Sequence, residues 1–287
     1  MLLFKKVADL QDYLQSVRKK GQSIGFVPTM GALHEGHLSL FRRAKSQHGC
    51  VVGSIFVNPT QFNDARDLEK YPRTTEQDIL MLNGVKCDVL FMPPANEVYP
   101  PGLDTTLRFD WGGLDRILEG EFRPGHFEGM AQVVKRLLDI VRPNALYLGQ
   151  KDLQQFIIVR RMIGQLGLDI DLVRCPIVRE TDGLAMSSRN RRLPAAHRAA
   201  APKIYDVLRA CHRQMDRHCP EELEAWALAE LQQPDFRPEY FRIVDGYRLQ
   251  PIKSFADSDF VVICTAVWLG DIRLIDNLIL REKVKAH

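Results

Sequence analysis

The chain is predicted to be an α/β protein, with a doubly wound parallel sheet over residues 1–176 and a smaller α+β domain over residues 177–287. Two patterns carry this prediction. Short apolar runs alternate with amphipathic stretches as far as residue 175, the rhythm of βαβ units whose helices cover both faces of a mostly parallel sheet. Beyond it, two helical stretches precede three apolar runs with no helix between them, which reads as helices on a small antiparallel sheet.

The first strand is Ile24–Val27, an apolar run stopped by Pro28. Helical spacing follows over Leu38–Ser46, then a strand over Val51–Val57. Glu76–Leu82 is the next helix and Asp88–Met92 the next strand; Met130–Ile140, Ala145–Leu148, Leu153–Leu166 and Ile170–Val173 repeat the alternation. The change of pattern falls near Pro176 to Arg179. Ala195–Met215 and Glu221–Gln232 are expected to be two helices with a break near Pro220, followed by strands Tyr240–Val244, Phe260–Leu269 and Ile272–Leu280. With no internal repeat, low-complexity tract or Pro/Gly/Ser-rich linker, the two domains are expected to touch directly.

Bulk properties exclude several classes. Of 287 residues, 45% are apolar and 26% charged, as in ordinary globular proteins. A net charge of +3 offers no basic stripe for nucleic acid and no reason for binding an anionic membrane. Six scattered cysteines without a Cys-x-x-Cys pair read as reduced, mostly buried thiols of a cytoplasmic protein. The start, Met1-Leu2-Leu3-Phe4-Lys5-Lys6, has the wrong charge order for a signal peptide, and no run nears the ~18 apolar residues of a membrane span.

Each conspicuous polar cluster follows a strand end: 28–37, 58–63, 149–152 and 179–190. Open parallel sheets bind ligands beyond the carboxyl ends of their strands. In Met30-Gly31-Ala32-Leu33-His34-Glu35-Gly36-His37, two imidazoles flank a helix N-terminus, where free N–H groups and the dipole favour an anion such as phosphate. The alternative is a histidine N-cap beside a surface histidine. Asn58-Pro59-Thr60-Gln61-Phe62-Asn63 offers uncharged donors and acceptors suited to a hydroxyl- or carboxylate-bearing substrate, or forms a polar turn. In Gly149-Gln150-Lys151-Asp152, Lys151 can reach phosphate oxygens and Asp152 can cap the next helix, with Gln155 one turn on; a solvated surface turn is the alternative. Met186-Ser187-Ser188-Arg189-Asn190, after Arg179-Glu180-Thr181-Asp182-Gly183, makes a clamp for polyphosphate or simply a basic loop. His126, in Arg123-Pro124-Gly125-His126-Phe127, either approaches the site or caps the helix that follows, and capping is the expectation. Cys211-His212 and His218-Cys219 match no zinc spacing, and there is no Gly-x-Gly-x-x-Gly, P-loop or Gly-x-Ser-x-Gly signature.

These segments, with Phe56 to Phe62 and Tyr71-Pro72-Arg73-Thr74, stand in the order of one family, and the chain resembles the pantothenate synthetases, or pantoate–β-alanine ligases. The likeness is nearly complete to about residue 192 and weaker beyond it. That family is similar to class I aminoacyl-tRNA synthetases: His34 and His37 look like their His-x-Gly-His signature, and Met186 to Arg189 like their mobile Lys-Met-Ser-Lys-Ser loop. The resemblance implies a Rossmann-like first domain and a lid-like second one. It implies that Met30, His34, His37, Gly149, Gln150, Lys151, Asp152, Val178, Met186, Ser187, Ser188 and Arg189 meet ATP, with His37, His34 and Lys151 catalytic. It implies that Gln61, Gln155 and the nearby Asn58 hold pantoate, Gln61 also serving β-alanine. Magnesium on the triphosphate is expected, with Asp78 the nearest acid; Gln77 stands where an acid was expected, and Gln150 where many members carry Glu.

The implied reaction joins pantoate to β-alanine through pantoyl-adenylate, releasing pyrophosphate and then AMP, and the implied assembly is a homodimer through the first domain. Three other functions fit parts of the pattern: a nucleotidyltransferase that keeps the adenylyl group on its product, a synthetase fragment binding RNA, and a nucleotide sensor. The first would not need Gln61 and Gln155, the low charge opposes the second, and His37 with Lys151 opposes the third.

Overall fold

The computed structural model describes residues 1–61, 68, 69, 71–104, 106 and 109–283. Phe62 and Asn63 of the Asn58 to Asn63 cluster lie outside these residues. Six strands form one parallel sheet: β1 (Leu2–Phe4), β2 (Ile24–Thr29), β3 (Cys50–Ile55), β4 (Val89–Phe91), β5 (Ala145–Gly149) and β6 (Asp171–Cys175), in the order β1-β4-β3-β2-β5-β6. Strand residues alternate between its two faces. Phe26, Val52, Phe91 and Leu146 pack against α1 (Val7–Lys19), α4 (His126–Val141) and α5 (Leu153–Leu166). Val27, Val51, Leu90 and Tyr147 face α2 (Glu35–Gln47) and α3 (Thr75–Gly84).

The order reverses between β2 and β5, and there the two strands pair over only Gly25↔Ala145 and Phe26↔Leu146. Past that pairing their carboxyl ends part and open the crevice that doubly wound sheets use for ligands. The polar clusters after β2 and β5 therefore face each other across it.

Strand β1 and helix α1 were absent from the sequence-based expectation. Leu10, Leu14 and Val17 of α1 are buried at helical spacing, each worth about 1.5–3 kcal/mol over exposure. The expected helix Ala195–Met215 is interrupted: a helical turn at Ala195–Ala200 stops before Pro202, and α6 (Lys203–Gln214) starts after it. Pro202 has no N–H to continue the ladder, and its ring collides with the turn before it. Helix α7 (Pro220–Leu231) carries its proline at the tolerated first position.

Three strands, β7 (Phe236–Asp245), β8 (Phe260–Leu269) and β9 (Ile272–Glu282), form an antiparallel sheet in that order. Pro238 interrupts β7 at a register shift on the sheet edge, where a missing N–H costs least. Phe241, Ile243 and Ile263 pack on α6 and α7. The opposite face, with Tyr240, Val262, Cys264 and Ala266, joins the core of α4 and α5. The buried Glu119 carboxylate takes Arg273 at 2.6 and 2.9 Å and the Tyr240 hydroxyl at 2.6 Å, tying this face to the turn ahead of α4. Among the described residues no helix is long and apolar enough to cross a membrane.

Candidate active site

After β2 the chain turns through Gly31 and Ala32, both at positive φ (83° and 50°), before α2 begins. A left-handed conformation costs an alanine roughly 1–2 kcal/mol, so the loop needs an anchor. Asp78 of α3 supplies it: its buried carboxylate accepts from Ala32 N at 2.9 Å, Leu33 N at 2.8 Å and Thr74 Oγ1 at 3.1 Å. From the other side Ser188 Oγ donates to Ala32 O (2.9 Å) and Arg191 to Leu33 O (3.1 Å).

His34 occupies the N-cap of α2, and its ring lies 4.0 Å from that of His37, centroid to centroid. A Cβ on Gly36 would sit 2.9 Å from the His34 ring, so only glycine lets that imidazole fold over the helix start. His37 Nδ1 accepts from His34 N at 3.3 Å, which leaves the proton of a neutral ring on Nε2. Burial is the first cause that lowers both histidines, His34 to about 3 with help from His37 and Lys151, His37 to about 4 with help from Lys151 and Arg191. Both are therefore neutral N–H donors at physiological pH. His34 Nδ1 has no hydrogen-bond partner among the described residues.

Across the crevice, a tight turn at Gln150–Asp152 presents Lys151 and Asp152 ahead of α5, and Gln155 lies on the first turn of that helix. The third wall is the segment after β6. Arg179 and Ala185 bridge as a short hairpin, Met186 N bonds Val178 O, and Ser187 Oγ accepts from Arg189 N to start a 3₁₀ turn over Ser188–Arg192. Met30, His34, His37, Gly149, Lys151, Asp152, Val178, Met186 and Ser187 to Arg189 all line one cleft of about 220 Å³.

The fourth wall carries amides and apolar groups. Gln61 and Gln155 line the same cleft, with Phe56, Tyr71, Met130, Val133, Val134 and Leu137 beside them. The Gln61 turn is held by α4. His126 Nδ1 meets Gln61 O at 2.8 Å, so this ring is the Nδ1–H tautomer because a carbonyl can only accept. Gly129 lets the helix approach: a Cβ there would lie 2.2 Å from Thr60 O.

Several expectations need correction. Asn58 does not line the cleft; it is buried, its amide donating to Thr60 Oγ1 (2.9 Å) and Gly129 O (3.1 Å) and accepting from Tyr99 (3.1 Å). It shapes the Gln61 turn. Gln150, expected at the nucleotide, turns away and donates to Asn277 Oδ1 at 3.0 Å. Asp78, expected near magnesium, is the loop anchor described above, its oxygens taken by three protein donors. Asp152 stands at the N-cap position of α5 but makes no side-chain cap bond, which leaves its carboxylate to the cleft. His126 does not cap a helix; Gly125 holds that position.

The apolar wall was missed because such residues read only as core. Its one advance signal is the adjacent pair Val133 and Val134, with Met130 and Leu137 one turn away on α4, facing the strand ends. Arg123 was also missed as more than a turn residue: it is half-buried beside Glu119 (3.9 Å), yet with burial and Arg189 acting on it its pKa falls only to about 10, so it stays a cation.

The sequence profile of one family, described as pantoate-beta-alanine ligase, matches residues 2–279. A pantothenate synthetase of Porphyromonas gingivalis is 48% identical over 279 residues, 97% of this chain and 99% of that protein. The crystal structure of pantothenate synthetase from Thermus thermophilus superposes with a TM-score of 0.91 at 39% identity, covering 98% of this chain and 100% of that one. A pantoate-beta-alanine ligase from Francisella tularensis, complexed with beta-gamma ATP and beta-alanine, matches with a TM-score of 0.80 at 38% identity and 98% coverage of both chains. A cleft at the β2/β5 switch point, lined by cations, imidazoles and amides, thus sits in a chain that belongs to the pantoate–β-alanine ligase family.

Proposed function

We propose that this cleft condenses pantoate with β-alanine in two steps, with ATP as the activating substrate and pantoyl-adenylate as the intermediate. The observation that carries the reading is the set of side chains gathered in one cleft. His34, His37, Lys151 and Arg189 converge on it from three elements, and Gln61, Gln155 and an apolar wall line the same cavity.

In the first step a pantoate carboxylate oxygen bonds to the α-phosphorus and the bond to pyrophosphate breaks. The nucleophile is already an anion, so positioning and charge stabilisation carry the rate rather than a strong base. The N–H groups of His34 and His37, the start of α2, Lys151 and Arg189 would receive the charge growing on the phosphate oxygens. Val178 and Met186 offer main-chain groups and an apolar side chain to the rest of the nucleotide. Gln61 and Gln155 would hold the hydroxyls of pantoate, whose two methyl groups match Met130, Val133 and Phe56. In the second step the β-alanine nitrogen bonds to the acyl carbon, the bond to AMP breaks, and the amine loses a proton to solvent.

Magnesium belongs to the same proposal. The cleft offers one carboxylate, Asp152, and no group of three ligands occurs among the described residues. That donor set fits a hard cation shared between one acid and substrate phosphates. When bound with ATP it would supply Lewis-acid neutralisation of the triphosphate. A homodimer through the parallel-sheet domain and a cytoplasmic location are part of this reading, the first read by solution mass.

The test is AMP formation from ATP and Mg²⁺ with pantoate and β-alanine added singly and together. AMP matched by pantothenate, and ATP–pyrophosphate exchange with pantoate alone, are expected. Exchange with pantoate but an adenylylated end product would move the protein to the nucleotidyltransferases. No turnover with both substrates would end the proposal.

A further inference from the structure

Two of the segments that meet the cleft, the Gln150–Asp152 turn and the 179–190 segment, come from different strands of the parallel sheet. Both are tied to the same two residues of the antiparallel sheet. Asn277 Nδ2 donates to Gln150 O at 2.9 Å and to Lys151 O at 3.0 Å, and its Oδ1 accepts from Gln150 Nε2 at 3.0 Å. The preceding residue, Asp276, accepts both guanidinium nitrogens of Arg179, at 2.6 and 3.0 Å. Arg179 donates further to Gly183 O (3.1 Å) and Asn277 O (3.3 Å), and its guanidinium lies 3.6 Å from the Tyr205 ring centroid. Asp276 Oδ1 also accepts from Asn277 N at 2.8 Å, which fixes the carboxylate relative to the amide beside it.

The two residues are 5% and 3% exposed, so these bonds are shielded from competing water. They sit in a regular stretch of β9, where Asp276 pairs Thr265 and Asn277 pairs Cys264 on β8. A strand held in register by ten paired positions on β8 is a stiff support, and adjacent residues on it cannot move independently. Bidentate Arg–carboxylate bonding adds directional constraint to attraction. The carbonyl of Lys151 is thus held by the strand that also holds the root of the Met186–Arg189 segment.

We propose that Asp276 and Asn277 are positioning residues that set the Lys151 turn and the Met186–Arg189 segment in register with each other. Neither side chain lines the main cleft, so both act through the residues they hold. This rests on the two-step reading above and assigns the halves of the pair to different steps. Asn277 fixes Lys151 for attack at the α-phosphorus. Asp276, through Arg179, keeps the 179–190 segment over the acyl-adenylate so that water stays out until the amine arrives.

The experiment compares wild type, Asn277→Ala and Asp276→Asn in the full-length chain. Three quantities are read: pantoate-dependent ATP–pyrophosphate exchange, the ratio of AMP to pantothenate, and the thermal midpoint. A misplaced catalytic group lowers kcat more than it raises KM, and a displacement of about 1 Å can cost on the order of 10²-fold. Asn277→Ala is expected to lower kcat of exchange by about 10- to 100-fold with KM for ATP within about threefold. Asp276→Asn is expected to raise the AMP to pantothenate ratio above one, with kcat of exchange falling less than in Asn277→Ala because Ser188 and Arg191 still hold the Arg189 turn on the 31–33 loop. Should either variant melt below the assay temperature, the other decides. Folded variants with wild-type exchange and a ratio of one would overturn the inference, as would an activity loss that only tracks melting. Absence of pantoate-dependent exchange in the wild type would instead remove the reading beneath it.

Discussion

The cationic and the amide parts of the cleft lining are built on opposite principles. In the cationic part, each group that would meet phosphate is charged or sits at a helix start, and their distances are enforced by loops held from both sides. In the amide part, neutral Gln61 and Gln155 line the cleft beside apolar side chains, and the holding is done by close packing and internal hydrogen bonds: Gly129 admits α4 against the Gln61 turn, His126 Nδ1 donates to Gln61 O, and Asn58 makes its hydrogen bonds inside the protein. Charge matters most where charge changes during reaction, and shape where a substrate only has to be recognised. The cationic part should therefore govern kcat and the amide part KM.

Removing a group from the cationic part gives the largest expected effect. Lys151→Ala and His37→Ala should each lower kcat by about 10²–10⁴-fold, with smaller changes in KM for pantoate. Steady-state kinetics on both substrates checks this. An Ala variant within about threefold of wild-type kcat would remove that residue from charge stabilisation.

The anchor beneath the same part comes next. Asp78→Ala strands the N–H groups of Ala32 and Leu33 in a buried site and releases a loop that holds Ala32 at positive φ. Each buried donor without a partner costs about 1–3 kcal/mol, so a loss of about 2–4 kcal/mol is expected in urea unfolding. If Asp78 instead served mainly as a metal ligand, the variant would keep its stability in metal-free buffer and lose only magnesium dependence.

A smaller effect is expected in the amide part. Gln61→Ala should cost about 1–3 kcal/mol of pantoate binding, raising its KM by about 10- to 100-fold while kcat stays within about threefold. A fall in kcat equal to the fall in kcat/KM would erase the proposed division, because Gln61 would then act in the transition state.

The cationic part was also the more legible in sequence. His34, Gly36 and His37 lie together at one helix start, and Lys151 sits in the turn just ahead of another, so local spacing marked them as candidates, with a capping or solvated reading open for each until the ordered motifs were taken together. Strand ends were legible from periodicity to within a residue or two, but Pro28, expected to stop β2, lies inside it: the strand runs on to Thr29, paired with β3. What sequence could not show is direction. Asn58, Gln150 and Asp78 have the right chemistry for ligands, yet each directs it to main chain or side chain of its own fold. Nor could it show the tie between Lys151 and Asn277, separated by 126 positions and joined only when the second sheet packs on the first. Helix α1 was missed although Leu10, Leu14 and Val17 carry the period, because Lys6 before it offers no capping side chain to mark a start.

The pH dependence of stability bears on both parts at once. His34 and His37 in the cationic part are lowered to about 3 and about 4 chiefly by burial, and His126, which holds the amide part, to about 4 for the same reason with Arg123 adding to it. Each has an ordinary value of 6.5, which the unfolded chain regains. Folded pKa values below the unfolded ones mean that the unfolded chain binds more protons between pH 6.5 and about 4. The contribution of these histidines is thus complete above pH 6.5 and is lost as pH falls toward their folded values. A fully linked histidine changes stability by up to roughly 1.4 kcal/mol per pH unit in that window. Urea midpoints measured from about pH 7 to about pH 4.5 should fall, and His126→Asn, which keeps a donor for Gln61 O, should flatten the fall by about one proton. His37→Asn should flatten it similarly but lose catalysis, whereas His126→Asn should mostly raise KM for pantoate. An unchanged slope in His126→Asn would mean that its ring is wetter than the packing around α4 implies, and that the Gln61 turn is held by Gly129 and Asn58 alone.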